Sequence, residues 1–488
     1  MECFEDKMTE KIHRKIKVIQ FGEGNFLRGF VDYMIDIANE KNYFDGDIVL
    51  VKPIEYGNLD YFHMQDNRYT VSLRGLEDGK EIVANRRITS IAGAVDAYTE
   101  YDKYAGLAKL DSLRFVVSNT TEAGIVYDEK DRLEFTPPIS YPGKLTKFLY
   151  ERYQYFQGDN RKGLIILPVE LIDDNGIHLK EIVIKLSNQW GLEEAFVTWL
   201  GVSCVFCSTL VDRIITGFPK EEAENMWKEF GYTDHLLVTG EPFALWVIES
   251  DKEIEQELPL HKAGLPVIFT DNQKPYKQRK VRILNGAHTS FALASFLAGN
   301  NLVLESMQDK EIKEFMLKTI YDEIIPTLDL PKDDLISFAD AAIERFNNPF
   351  IKHSLLSISL NSVSKWKARC LPSLLEYIDR FSKLPPHLTF SLAALMEFYS
   401  GSESREGVLI GHRSEEEYPI LDEKVVLEFF ADKTGTNVQH NIVDFLSQTA
   451  FWGQDLSTIP GLLEVFTGYV KDIRRLGIRK ALIHNQLV

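Results

Sequence analysis

The stretch VIQFGEGNFLRGF, Val18 to Phe30, decides how this chain begins folding and what that beginning is for. A strand-like run, Ile16–Phe21, meets Gly22-x-Gly24. Leu27, Phe30, Val31, Met34 and Ala38 then recur at helical spacing. Two glycines between strand and helix let the backbone approach a pyrophosphate without Cβ obstruction, while the helix start turns free N–H groups toward the anion. The third glycine of the dinucleotide fingerprint is absent, with Leu27 in its place. Gly29, two places later, takes the close-packing role if the turn is wider. On its own the loop is equally a tight turn without a ligand.

Working outward, short β-branched runs alternate with helical patterns: Ile16–Phe21, Asp47–Val51, Arg114–Asn119, Gly163–Pro168 and Ser203–Ser208. Such alternation implies a parallel sheet covered by helices on both faces. The fold class expected is an α/β, Rossmann-type doubly wound N-terminal domain over residues 1–224. After Gly217 helical periodicity dominates, as in EEAENMWKEFG, DKEIKEFMLKTIYDEIIPTL, DLISFADAAIERF and PGLLEVFTGYVKDIRRL. A mainly α-helical C-terminal domain is expected over 225–488, with a cleft between the two as the default ligand site.

The chain has 488 residues and a formal net charge of -18, which argues against a nucleic-acid or anionic-membrane partner. MECFEDKMTEKIHRK is not a signal peptide, and no apolar run is long enough to span a bilayer. Four cysteines are too few for a disulfide framework, and Cys204 and Cys207 in an apolar run read as buried thiols. A cytoplasmic location follows. An acidic protein handling an anionic substrate needs local cations. Near the end of the second strand, Glu55, with Asp60 behind it, is the candidate acid for the adenosine ribose, which favours NAD over NADP. Each is equally a solvated loop acid.

A second constellation lies in YKQRKVRILNGAHTSFALASF, where Lys280, Asn285 and His288 stand at i, i+5 and i+8. On an α-helix they fall at 0°, about 140° and about 80°, on one broad face. By spacing alone, Asn285 and His288 are as readily hydrogen-bonded core residues.

Lys-x4-Asn-x2-His following a Gly-x-Gly-x-Phe loop resembles the polyol-specific long-chain dehydrogenases, the mannitol dehydrogenase family. NTTEAG (119–124), LVDRI (210–214), RFNNP (345–349) and QDNRYTV (65–71) match in the family's order over nearly the whole chain. QFGEGNFLRGFVDYMID, LPVELIDDNG and SISLNSVSKWKAR look like the branch of that family acting on sugar acids in hexuronate breakdown. The resemblance implies NAD(H), no catalytic metal, a ketouronate or aldonate as the small-molecule partner, and a monomer or homodimer. It implies Lys280 as general acid/base, with Lys277, Arg279 and Arg282 near enough to depress its pKa. Asn285 would stabilise the developing oxyanion, His288 would bond a substrate hydroxyl, and Glu122 would relay protons. The cofactor set carries over onto Phe21, Gly22, Gly24, Asn25, Phe26, Asn119 and Asp212, beside Glu55; Asp212 is as readily an anchor for Arg213.

Two positions depart from the family pattern. The family's second oxyanion donor, an Asn, falls on Leu171, and its substrate-side arginine falls on Ser357, while the lysine eight places on is kept as Lys365. Lys365, Arg369 and His353 are the candidate ligands of a substrate carboxylate, and equally a solvated basic helix face. Within the family the epimer of the uronate, or a polyol, stays open. A nucleotide-binding regulator or a methyltransferase would share the glycine loop but leave Lys280, Asn285 and His288 without a purpose.

Overall fold

The structure is a computed structural model that describes residues 13–77, 79–120, 124–250, 254–400, 403–405, 408–414, 416–431 and 438–488. It forms two compact units, Met1–Gln273 and Lys274–Val488.

The first unit is organised by β1 (Ile16–Phe21), β2 (Asp47–Lys52), β3 (Tyr69–Glu77), β4 (Lys80–Ile88), β5 (Ile91–Asp96), β6 (Phe115–Ser118), β7 (Ile165–Pro168) and β8 (Val205–Phe206). Six of these make one sheet in the order β5-β2-β1-β6-β7-β8, and every pairing in it is parallel. Taken in chain order these six strands run 3-2-1-4-5-6, the arrangement of dinucleotide-binding domains. The central strands are apolar on both faces because both are covered. Val18, Ile48, Leu50, Phe115 and Val117 pack under the helical segment carrying Leu27, Phe30, Val31 and Met34. Ile19, Phe21, Val49, Val51 and Val116 pack on the other side with Tyr104, Tyr141 and Phe148. Register places Phe21 opposite Val51 on one side and Ser118 on the other, so the Gly22 loop leaves the sheet at the reversal of strand order.

Two smaller sheets complete this unit. β9 (Ser208–Asp212), β10 (Ile215–Gly217), β11 (Val238–Gly240), β12 (Leu245–Glu249) and β13 (Val267–Thr270) form them, in the orders β10-β11-β3-β4 and β13-β12-β9. The boundary expected after residue 224 is therefore corrected to Gln273: β11 pairs with β3 and β12 with β9, which ties residues 238–270 to the N-terminal unit. Cys204 and Cys207 are buried thiols in its cores, not joined in a disulfide.

The second unit is mainly helical. Lys274–Arg279, a π turn at Lys280–Asn285 and Gly286–Leu297 follow one another as a single helical run, and Pro386–Tyr399 is buried along most of its length. The helices expected from periodicity are found at Ala223–Phe230 (in the first unit), Lys310–Lys318, Lys332–Phe346 and Leu462–Leu476. An antiparallel sheet of β14 (Glu403–Arg405), β15 (Val408–Arg413) and β16 (Glu416–Ile420) was not expected. Among the described residues no helix is long and apolar enough to cross a membrane.

Candidate functional site

In the first unit the site is built from backbone. Gly22 has φ +120°, a conformation that L side chains rarely adopt, and a Cβ there would lie 3.1 Å from the carbonyl oxygen of Asn119. Three bonds hold the loop on the sheet: Gly22 N–H to Val51 O (3.0 Å), Asn119 N–H to Phe21 O (3.1 Å) and Gln20 Nε2 to Gly22 O (3.2 Å). Gly24 precedes the first helical residue and is exposed, and a Cβ on it would meet nothing within 4 Å. A tight inner glycine and an open outer one at a helix start are the surface a pyrophosphate requires, so these residues fit a dinucleotide. Gly29 allows a close approach of the helix to the second sheet, not to the parallel one: a Cβ there would fall 2.6 Å from Ile215 Cδ1 on β10. The helix can accept the shifted glycine because it widens into a π turn at Arg28–Asp32.

The other residues of the cofactor set fall in different settings. Asn25 is exposed, and its Oδ1 accepts a bond of 2.5 Å from Arg28 Nη2. The half-buried Phe26 ring stacks on Phe30 at 5.0 Å. Asn119 closes β6 beside Gly22, and Asp212 is buried at the end of β9. Glu55 is exposed just past β2. The Phe21 ring is fully buried among Tyr104, Tyr141 and Phe148, so only its backbone is available. Glu122 lies outside the described residues.

Beneath the loop sits a balanced polar cluster. Asp32, fully buried, accepts a 2.6 Å bond from the Tyr69 hydroxyl, and Arg28 lies over the Tyr69 ring at 5.3 Å. Burial drives the Asp32 carboxyl up to about 7, against the opposing effects of the Tyr69 bond and the Arg28 charge. Glu170, in the segment that replaces the family's oxyanion donor, is buried and accepts from Ser118 Oγ (3.1 Å), Thr120 N–H (2.9 Å) and Thr120 Oγ1 (3.0 Å). It thereby fixes the segment around Asn119, while Leu171 beside it is 63% exposed.

In the second unit the site is built from side chains. Lys280 opens the π turn, Asn285 closes it and His288 follows in the next turn, all three half-buried. An i→i+5 turn is wider than an α turn, so it brings Lys280 and Asn285 closer to one line than the 140° expected of an α-helix; such turns recur at functional sites. Arg282 and Arg279 are engaged elsewhere. Arg282 bonds Ser373 Oγ at 2.5 Å and Thr327 Oγ1 at 2.9 Å, and Arg279 lies 4.5 Å over the Phe338 ring.

His288 is the centre of a cationic group. Its ring stands 4.2 Å from Phe346 and 5.3 Å from His353, and its Nε2 is enclosed with no hydrogen-bond partner. Burial, then the charges of His353, Arg345 and Arg369, hold its imidazole well below the usual range. Arg369 Nη1 bonds Thr289 Oγ1 at 3.3 Å, and Lys365 Nζ bonds Ile358 O at 3.0 Å. Burial and Arg369 lower Lys365, while burial and Lys365 lower His353. Asp422 partly offsets the shift of Lys365. The helix Ser362–Arg369 is thus not a solvated basic face: Lys365, Arg369 and His353 gather around His288. Ser357, where the family has an arginine, bonds Ser354 O at 2.7 Å and adds no charge. Arg345, in the RFNNP stretch, was missed as a member; its motif was visible but its direction was not.

The sequence and the fold are similar to those of known proteins. The "Mannitol dehydrogenase Rossmann domain" matches residues 16–262 and the "Mannitol dehydrogenase C-terminal domain" residues 272–474. An altronate oxidoreductase of Pectobacterium atrosepticum is 46% identical over 473 residues, covering 95% of this chain and 96% of its own. The altronate oxidoreductase of Escherichia coli is 45% identical over 472 residues, with the same coverage. In fold, a D-sorbitol dehydrogenase crystal structure superposes with a TM-score of 0.78 at 20% identity, covering 96% of this chain and 95% of that one. The Pseudomonas fluorescens mannitol 2-dehydrogenase ternary complex with NAD and D-mannitol gives 0.65 at 21% identity, covering 97% and 94%. With both domains matched in order and relatives at this identity along almost all of its length, the chain belongs to the mannitol dehydrogenase family.

Proposed function

We propose that this protein is an NAD-dependent oxidoreductase that interconverts D-tagaturonate and D-altronate, the activity for which its curated relatives are named. The observation that carries the substrate class is the group of Lys365, Arg369, His353 and Arg345 around His288. Burial and the neighbouring cations depress protonation within this group, and an anion relieves the repulsion through charge-assisted hydrogen bonds. A polyol brings no such anion; a uronate or aldonate does.

The nicotinamide cofactor, when bound, supplies or accepts the hydride. Gly22 and Gly24 admit its pyrophosphate, with Asn119 bordering the loop. Lys280 donates a proton to the carbonyl oxygen during reduction and removes it from the hydroxyl during oxidation. Asn285 donates an N–H to the same oxygen and stabilises its growing charge. His288 is held neutral at working pH by its surroundings, so its enclosed Nε2 is free to exchange a hydrogen bond with a substrate hydroxyl. Lys365 and Arg369 hold the carboxylate.

Side-by-side NADH oxidation with tagaturonate, fructuronate and fructose tests the reading. The expected order of kcat/KM is tagaturonate first and fructose last. Preference for fructuronate moves the assignment to the epimeric reductase, preference for fructose overturns the carboxylate assignment, and turnover of none overturns the enzyme reading.

A further inference from the structure

At the carboxyl end of β2, Lys52 is fully buried. Its Nζ donates to three successive carbonyls, Ile54 O at 2.7 Å, Glu55 O at 3.2 Å and Tyr56 O at 3.2 Å. A fourth oxygen, Asp96 Oδ2 at the end of the neighbouring β5, lies 3.1 Å away. Asp96 is itself fixed by the Tyr98 N–H at 2.9 Å. An ammonium has three N–H donors, so four oxygens saturate it, and the Asp96 carboxylate among them neutralises its charge. Three carbonyls turned in on one ammonium turn the side chains between them out. Ile54 is 53% exposed, Tyr56 is 80% exposed and Glu55 is exposed. In a doubly wound domain the pyrophosphate crosses the first strand–helix turn, and the end of the second strand meets the adenosine. Tyr56 and Ile54 are large apolar groups held in solvent at that place.

We infer that Lys52 is a positioning residue for the adenosine half of the cofactor: it folds residues 53–56 around its ammonium, so that Ile54 and Tyr56 offer apolar faces to the adenine and Glu55 offers its carboxylate to the ribose. Its own charge, taken up by the carbonyls and Asp96, does not serve a 2′-phosphate. The inference rests on the reading of the first unit as NAD-binding and goes beyond it in naming what shapes the site.

The test measures binding of NADH, NADPH and ADP-ribose by calorimetry to the wild-type protein and to Lys52→Met, Lys52→Arg and Tyr56→Ala, together with kcat at saturating NADH. Tyr56→Ala, an exposed change that leaves the fold intact, is expected to weaken ADP-ribose about tenfold, the scale of one base–aromatic stack. Lys52→Met is expected to weaken NADH and ADP-ribose at least as much with kcat kept, and Lys52→Arg to recover most of the loss. Wild-type protein that does not bind NADH overturns the NAD reading and this inference together. Wild-type binding of NADH, with ADP-ribose affinity unchanged in Tyr56→Ala, overturns the inference alone, whether or not Lys52→Met folds. Selective loss of NADPH in Lys52→Met also overturns it, since the lysine is then a phosphate ligand.

Discussion

The two halves of the chemistry are made by opposite means. Around the glycine loop the ligand surface is backbone, and the buried charges nearby are answered locally: Lys52 by Asp96, and Glu170 by the Ser118 and Thr120 donors. Around His288 the surface is side chains, and the charges that act on its ring, from His353, Arg345 and Arg369, are all cationic, while Asp422 opposes the shift of Lys365. Yet both halves place a π turn at the critical residues, Arg28–Asp32 in one and Lys280–Asn285 in the other. The difference teaches what each half recognises. On the proposed reading, the dinucleotide is bound through backbone geometry, whereas an anionic substrate is bound through charge stored as mutual repulsion and released on binding.

The comparison is broken most sharply at Lys280. Lys280→Met is expected to reduce kcat by about 10²–10⁴-fold, the usual share of a general acid–base group. NADH affinity, measured by fluorescence, should stay at the wild-type value because the glycine loop belongs to the other unit. A parallel loss of NADH binding would show that the two halves are not separable in this way. Next in size is Arg369→Ala, which removes one charge-assisted contact. KM for a uronate should rise about 10- to 100-fold with kcat little altered, while KM for an uncharged ketose changes less than about twofold. Equal changes in both would remove Arg369 from carboxylate binding. On the backbone side, Gly22→Ala forces a side chain onto φ +120° and against Asn119 O at 3.1 Å. A loss of about 1–3 kcal/mol in urea unfolding is expected, with weaker NADH binding and an unchanged KM for the uronate at saturating NADH. Unchanged NADH affinity would mean the loop is a turn and no more.

Sequence made legible what is local. The Gly22 loop, the Lys280–His288 spacing and the 353–369 basic set are contiguous stretches whose residue types announce their chemistry, and five of the parallel-sheet strands read as apolar runs. What escaped depended on partners far along the chain. β4 is a mostly exposed strand with charged residues throughout, held by its pairing with β3, so it lacked an apolar run. β11 has three residues and exists because β3 lies beside it, which is why the boundary was drawn too early. The π turns were invisible because one extra residue in a turn leaves the apolar pattern nearly intact. Nothing local in the sequence shows three carbonyls turning back on Lys52. Conversely, Phe21 stood in the right motif, but strand alternation points its ring into the core.

The gentlest probe of the comparison is pH, because Asp32 in one unit and the His288–His353 pair in the other contribute to stability in mild acid with opposite sign. Asp32, raised to about 7 in the fold from 3.8, is protonated when folded and ionised when unfolded over the intervening range. The folded state therefore binds the extra proton, and this contribution to stability grows as pH falls from about 7 toward 4. His288 and His353 are lowered from 6.5 in the fold, so below that pH the unfolded state binds the extra protons and stability is lost as pH falls. Each group changes stability by about 1.4 kcal/mol per pH unit at most within its window. Hydrogen exchange, corrected for intrinsic rates, should therefore show protection in Tyr33–Glu40 maintained or rising between pH 7 and 5.5, while protection in Gly286–Leu297 falls. Asp32→Asn should flatten the first trend and leave the second. Added altronate should oppose the second trend, because a carboxylate among Lys365, Arg369, His353 and Arg345 lets the histidines take up protons in the folded state. If both segments lose protection together and altronate alters neither, then the charge imbalance around His288 does not distinguish the two halves, and the carboxylate assignment loses its physical basis.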